Sequence, residues 1–293
     1  MNKKYLLLIE VIIILFLIVL LIVKLNIFYQ ADSELFITKS DNIILAYEYK
    51  TDIRVHHYNI NADGFRDSVR NFEKTSKRIL IIGDSITGGY GSDIVFNKIL
   101  EELYLNNSQN IEVMSLAVEG YNAVQEIELL ELLGLKYSPD IVILQSALND
   151  LEDHNLEMVL SDSQILKRDK SLEEKYGFNC RSEKESASNY VEDFYISKFS
   201  DDCHPKLLST LYSRFKYLAE ENNFKPYILI TPYDDPRFNI YADLFIETAL
   251  TNDIYLINLV PDLNDHSLFL DVMHPNNDGH KIIAKKLFEE III

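Results

Sequence analysis

Five short apolar runs, each followed by a stretch with helical spacing, recur from residue 78 onward. No other feature limits the fold as much. "RILIIGD" begins at residue 78, "IEVMSLAV" at 111, and "PDIVILQSA" is entered through Pro139; "KPYILITP" begins at 225 and "DIYLINL" at 253. These runs are rich in Ile, Leu and Val and lack polar alternation, which is the pattern of strands buried on both faces. Between and after them lie "DIVFNKILEELYLNN", "AVQEIELLELLGLKY", "HPKLLSTLYSRFKYLAEEN", "IYADLFIETALTN" and "NDGHKIIAKKLFEEI", with apolar residues at helical intervals. Strands alternating with helices predict a five-stranded parallel sheet covered on both faces, joined by right-handed crossovers into a three-layer α/β sandwich.

Two regions fall outside the rhythm. Residues 151–206 are highly charged, hold both cysteines and contain no buried strand. They read as an insertion after the third strand. Ligands in open parallel sheets sit beyond the carboxyl ends of the strands, so a segment leaving that end is expected to cap the site; a surface decoration is the alternative. Residues 28–77 are mixed and polar, with Tyr47, Tyr49 and Tyr58 interspersed, and read as a membrane-proximal segment leading into a domain at 78–293.

Ahead of both, "YLLLIEVIIILFLIVLLIV" covers residues 5–23 with Glu10 as its one charge. At helical rise it spans roughly 28 Å, near the thickness of a bilayer core. Lys3 and Lys4 precede it, so residues 1–4 are expected in the cytoplasm, 5–27 as an uncleaved signal-anchor helix, and the body outside. A removed signal peptide is the rival reading; the sequence offers a weak cleavage site after Ala31. Export permits oxidation, and Cys180 and Cys203 are then expected to pair, at about 3 kcal/mol for a loop of roughly 23 residues. The alternative is two buried thiols.

The formal net charge of -18 excludes nucleic acid as a natural partner and counts against a polyanionic substrate. No metal-ligand spacing is present, and no metal or cofactor is expected.

Chemistry-bearing residues gather at the strand ends. Ser85 follows the first strand, Gly120 in "LAVEGYN" the second, Asn149 in "ALND" the third, and Asp271 and His274 in "DVMHPNNDGH" the fifth. A serine at a strand-to-helix turn is commonly a helix cap. Here it shares one edge of the sheet with a glycine that lets a backbone N–H approach a ligand, an amide donor, and an Asp–His pair three apart. That set supplies the parts for acyl transfer: nucleophile, base, orienter and oxyanion donors.

These four blocks resemble the SGNH, or GDSL-type, hydrolase family. The resemblance covers roughly residues 60–290 apart from the insertion, and it implies a flavodoxin-like fold and a serine esterase or O-acyl hydrolase. By match, Ser85 in "GDSI" stands as nucleophile, His274 as general base and Asp271 as its orienting acid. The N–H groups of Ser85 and Gly120 and the side chain of Asn149 stand as the oxyanion hole. "NADGFRD", residues 61–67, resembles a lead-in of some exported members. Ile86 stands where the family's short name has Leu, and Ala147 where the third block usually has Gly; neither removes a catalytic group. Asp84, Tyr121, Asn122 and His154 are candidates for substrate contact, against bland readings as turn, packing or surface residues. His280 reads as structural or exposed. The expected substrate is an acylated small molecule or glycan, with an O-acetylated cell-envelope glycan suggested by location. An O-acyltransferase with the same triad and a non-catalytic glycan-binding or assembly protein are the alternatives.

Overall fold

A computed structural model of the chain describes residues 36–55, 58–151, 156–177, 203–235 and 242–293. The apolar segment at 5–27, His154 and Cys180 lie outside the described residues. Among the described residues, no helix is long and apolar enough to cross a membrane.

The chain opens with two small antiparallel pairs, β1 (Ile37–Lys39) with β2 (Tyr47–Tyr49) and β3 (Ile53–Val55) with β4 (Tyr58–Ile60). The predicted strands follow as β5 (Lys77–Gly83), β6 (Ile111–Ala117), β7 (Ile141–Ser146), β8 (Lys225–Ile230) and β9 (Tyr255–Asn258). They form one parallel sheet in the order β6-β5-β7-β8-β9. The chain steps from β5 to β6 on one side and then back past β5 to β7. That reversal opens a crevice at the carboxyl ends of β5 and β7, where such sheets bind ligands.

The single turn α1 (Ser85–Gly88) and the helix α2 (Phe96–Asn106) link β5 to β6, and α3 (Ala123–Leu132) leads toward β7. Next come α4 (Leu156–Val159) and α5 (Asp162–Tyr176), then α6 (Cys203–Asn222), α7 (Ala242–Thr251) and α8 (Asn277–Glu290). Side-chain alternation along β5 builds the layers. Ile79 and Ile81 join Phe96, Leu100, Ile283 and Leu287 beneath α2 and α8. Leu80 and Ile82 join Ile127, Leu211, Phe215 and Phe245 beneath α3, α6 and α7.

Two segments outside the strand–helix rhythm contribute to the core. In residues 36–67, expected as part of a membrane-proximal segment leading into the domain, Tyr47, Tyr49, Tyr58, Ile60 and Phe65 are buried in the same core as Leu80 and Ile82. The sequence shows no rhythm there because the strands are three residues long, too short for a period to register. The charged insertion is likewise partly core. Ile165 and Leu172 of α5 pack into that cluster, and the buried Arg168 donates from Nε to the Ile44 carbonyl (3.0 Å). Lys175 pairs with Glu128 and reaches Glu131 (3.4 Å). Cys203 opens α6 and is disulfide-bonded.

Candidate active site

Strand β5 ends at Gly83, where only glycine fits: a Cβ there would stand 2.2 Å from Thr87 Oγ1 and 2.6 Å from Gln145 Oε1. Asp84 then caps α1, its carboxylate accepting the Ile86 N–H (2.8 Å). This presents Ser85 at the first position of the turn, 8% exposed. The far end of the turn is held by Arg66, whose guanidinium donates to the carbonyls of Gly88 (3.1 Å), Gly89 (2.5 Å) and Ser92 (2.6 Å).

Ser85 Oγ lies 2.9 Å from His274 Nε2. On the other side of the ring, His274 Nδ1 lies 2.8 Å from Asp271 Oδ2 and 3.0 Å from Oδ1. A carboxylate only accepts, so it assigns the ring proton to Nδ1 and leaves Nε2 free to accept from the Ser85 hydroxyl. The loop that carries both residues is fixed by its own backbone: Leu270 N–H donates to the His274 carbonyl (2.8 Å) and Asn276 N–H to Leu268 (2.8 Å). Burial pushes Asp271 up, but the His274 ring N–H and the amides of Met273 and His274 outweigh it and bring it down to about 2. Asp271 thus stays ionised across any ordinary assay pH. The Tyr90 ring lies against the imidazole, centroids 4.4 Å apart.

Gly120 sits in the loop after β6 at φ +71°. Among the described residues, neither its N–H nor that of Ser85 donates to a backbone carbonyl. Asn149, 4% exposed, donates from Nδ2 to the Asp84 carboxylate. That acceptor dictates which way the amide faces, since Oδ1 against a carboxylate would repel it. Asp84 therefore ties the Ser85 turn to the loop after β7.

Three candidates for substrate contact are buried and bonded within the fold. Asp84 is fully buried between Ile86 and Asn149. Tyr121 is fully buried and donates to the Tyr47 carbonyl (2.5 Å). Asn122 caps α3, accepting the Gln125 N–H (3.1 Å). Among the described residues, no cluster of three or more His, Cys, Asp or Glu is placed to hold a metal ion.

Sequence reasoning missed the acids behind the site. Glu126 lies in the first turn of α3, fully buried, and neither carboxyl oxygen has a hydrogen-bond partner among the described residues. Burial, with Asp150 and Asp84 nearby, pushes it well above the usual carboxylate range. The folded chain therefore keeps a proton that the unfolded chain releases, and stability falls as pH rises above the unfolded value near 4. Glu126→Gln is expected to be more stable than wild type, by a margin that grows with pH by at most about 1.4 kcal/mol per unit. Urea unfolding at pH 5, 6.5 and 8 measures it; an equal margin at all three would refute the assignment.

The sequence matches the GDSL-like lipase/acylhydrolase family over residues 79–287, well over half the chain. The chain belongs to that family. It is accordingly a carboxylic ester hydrolase with the α/β fold described above. Among curated proteins, none matches the sequence. Similar solved structures include an acetyl xylan esterase at 17% identity, with 73% of this chain and 100% of that one aligned and a TM-score of 0.48. A psychrotrophic esterase from Pseudoalteromonas sp. aligns at 16% identity over 73% and 96% of the two chains, TM-score 0.46. The lipase/acylhydrolase from Enterococcus faecalis aligns at 15% identity over 73% and 95%, TM-score 0.48.

Proposed function

We propose that this family member is a serine esterase that removes short acyl groups, acetyl foremost, from a glycan of the cell envelope, and that Ser85, His274 and Asp271 are its catalytic triad. The observation that carries the reading is the unbroken chain of contacts from Ser85 Oγ to His274 Nε2 (2.9 Å) and from His274 Nδ1 to Asp271 (2.8 Å). Ser85 Oγ attacks the acyl carbonyl as its proton passes to Nε2, and Asp271 stabilises the imidazolium. The N–H groups of Ser85 and Gly120 and the Asn149 amide receive the negative charge on the carbonyl oxygen. His274 then returns the proton to the departing alcohol. A water, deprotonated by the same Nε2, cleaves the acyl-serine and frees the acid.

A bulky substrate is supported by the site's position at the surface, with the Asp271 side chain 44% exposed. An envelope location is supported by the sequence at 5–27, which provides an apolar span with Lys3 and Lys4 before it. Acetate release from O-acetylated polysaccharides and from aryl esters of two to eight carbons, with Ser85→Ala beside wild type, tests the reaction. Preference for long-chain esters over acetyl groups would refute the substrate class, and appearance of the acyl group on a sugar acceptor would convert the reading to a transferase. For location, protease added to spheroplasts is expected to degrade the body of the protein; protection until lysis would refute an exported domain.

A further inference from the structure

The turn that carries Gly120 is gripped by residues that precede the sheet. Val118 to Tyr121 form a β-turn closed by the Tyr121 N–H and the Val118 carbonyl (3.1 Å). Gly120 has φ +71°, while Glu119 is not among the residues with positive φ, so the turn is type II. Types I and II differ by roughly a half-rotation of the central peptide. Here that peptide joins the Glu119 carbonyl to the Gly120 N–H, and in a trans peptide the two point in opposite directions. Whatever holds the Glu119 carbonyl on one side therefore aims the Gly120 N–H to the other.

Tyr47 supplies that hold. Its hydroxyl donates to the Glu119 carbonyl (2.9 Å), and its fully buried ring packs edge-on against Tyr121 with centroids 5.3 Å apart. Two further tyrosines secure the same residue. The Glu119 N–H donates to Tyr49 Oη (3.0 Å), and the Tyr58 hydroxyl donates to the Glu119 carboxylate. Arg66, which holds the end of the nucleophile turn, lies over the Tyr58 ring at 4.8 Å. The Gly120 turn itself starts beside the nucleophile strand, because the Val118 N–H donates to the Gly83 carbonyl (3.3 Å).

We infer that Tyr47 is a positioning residue for ester hydrolysis: it locks the Glu119–Gly120 peptide with the Gly120 N–H facing the oxyanion, and Tyr49 and Tyr58 reinforce the lock. This rests on the reading of Ser85 as nucleophile and Gly120 as oxyanion donor. Without the Tyr47 hydroxyl the Glu119 carbonyl loses its hydrogen bond and the rotated peptide gains population, presenting a carbonyl oxygen to the developing negative charge. The loss is bounded by the worth of one oxyanion donor, about 10²–10³ in turnover.

Tyr47→Phe keeps the ring and removes only the hydroxyl. On an aryl acetate its kcat is expected to fall about 10- to 100-fold with KM within about twofold of wild type, and its affinity for a boronic acid that forms a tetrahedral serine adduct to fall in parallel. Tyr227→Phe is the control. It removes a hydroxyl that accepts the Ile292 N–H (3.2 Å) at the other end of the sheet, and kcat should stay at the wild-type level. If Tyr47→Phe keeps kcat within about twofold while Ser85→Ala is inactive, the lock is overturned and the nucleophile stands. If Ser85→Ala stays active, both fall. A loss of kcat with boronate affinity unchanged, or an equal loss in Tyr227→Phe, also overturns the lock. Should Tyr47→Phe fail to fold, Tyr49→Phe tests the reinforcement through the Glu119 N–H with the same readouts: kcat and boronate affinity falling together are expected, and a wild-type kcat would overturn the lock.

Discussion

Ser85→Ala is expected to lower kcat on an aryl acetate by about 10⁴- to 10⁶-fold while KM and the unfolding midpoint stay near wild type. The size follows from the role proposed for Oγ. It forms the covalent bond to the acyl group, and no neighbouring side chain can take its place. Asp84 is buried and faces Asn149, and the Asp271 carboxylate is turned to the far side of the His274 ring. Stability is spared because only a hydroxyl is removed, and among the described residues it bonds His274 alone. His274→Ala should cost a similar amount, and the double variant little more than either one, since the two act as a unit. Fluorophosphonate should label wild type once and Ser85→Ala not at all, read by mass spectrometry. A folded Ser85→Ala protein with more than about a tenth of wild-type kcat would remove the nucleophile from the mechanism.

The sheet was legible because its strands are buried on both faces, and a continuous apolar run such as "ILII" has no other economical use. The meeting of Ser85, His274 and Asp271 was legible for a related reason. A parallel sheet brings all its strand ends to one edge, so residues that follow different strands are gathered on that edge once the strands are found. What lay hidden depends on contacts that carry no period. Tyr47, Tyr49 and Tyr58 look like scattered tyrosines until β1 to β4 fold onto the loop after β6. Arg66 carries no mark of its role in the sequence, yet it caps three carbonyls of the loop after Ser85. Glu126 occupies what reads as the polar stripe of α3, but the helix is buried around most of its circumference, so that stripe faces Asp84 and Asp150 and not water. In the insertion, Arg168 and Lys175 add to the charge that sets residues 151–206 apart from the strand–helix rhythm. The structure spends them on Ile44 and on Glu128 and Glu131, which dock α5 against the body.

Asn149→Ala is expected to lower kcat by about 10²- to 10³-fold with a smaller effect on KM, the signature of a donor that engages the substrate oxygen only as it becomes charged. The structure adds a second cost. Asn149 Nδ2 is a donor to the buried Asp84 carboxylate, so alanine leaves that group short of a partner beside Asp150 and Glu126, at about 1–3 kcal/mol of stability. The two costs are read separately. Urea unfolding gives the loss at Asp84, and kcat on aryl acetate, measured well below the variant's unfolding midpoint, gives the loss at the oxyanion. Boronate affinity should fall with kcat, whereas affinity for an uncharged substrate amide should not, because its carbonyl oxygen carries no developing charge. If stability falls as expected and kcat does not, Asn149 is a strut for Asp84 and the oxyanion is met by backbone N–H groups alone. If the loss appears only in KM, the amide binds the ground state. Only a kcat loss paired with a boronate loss places the Asn149 amide at the transition state.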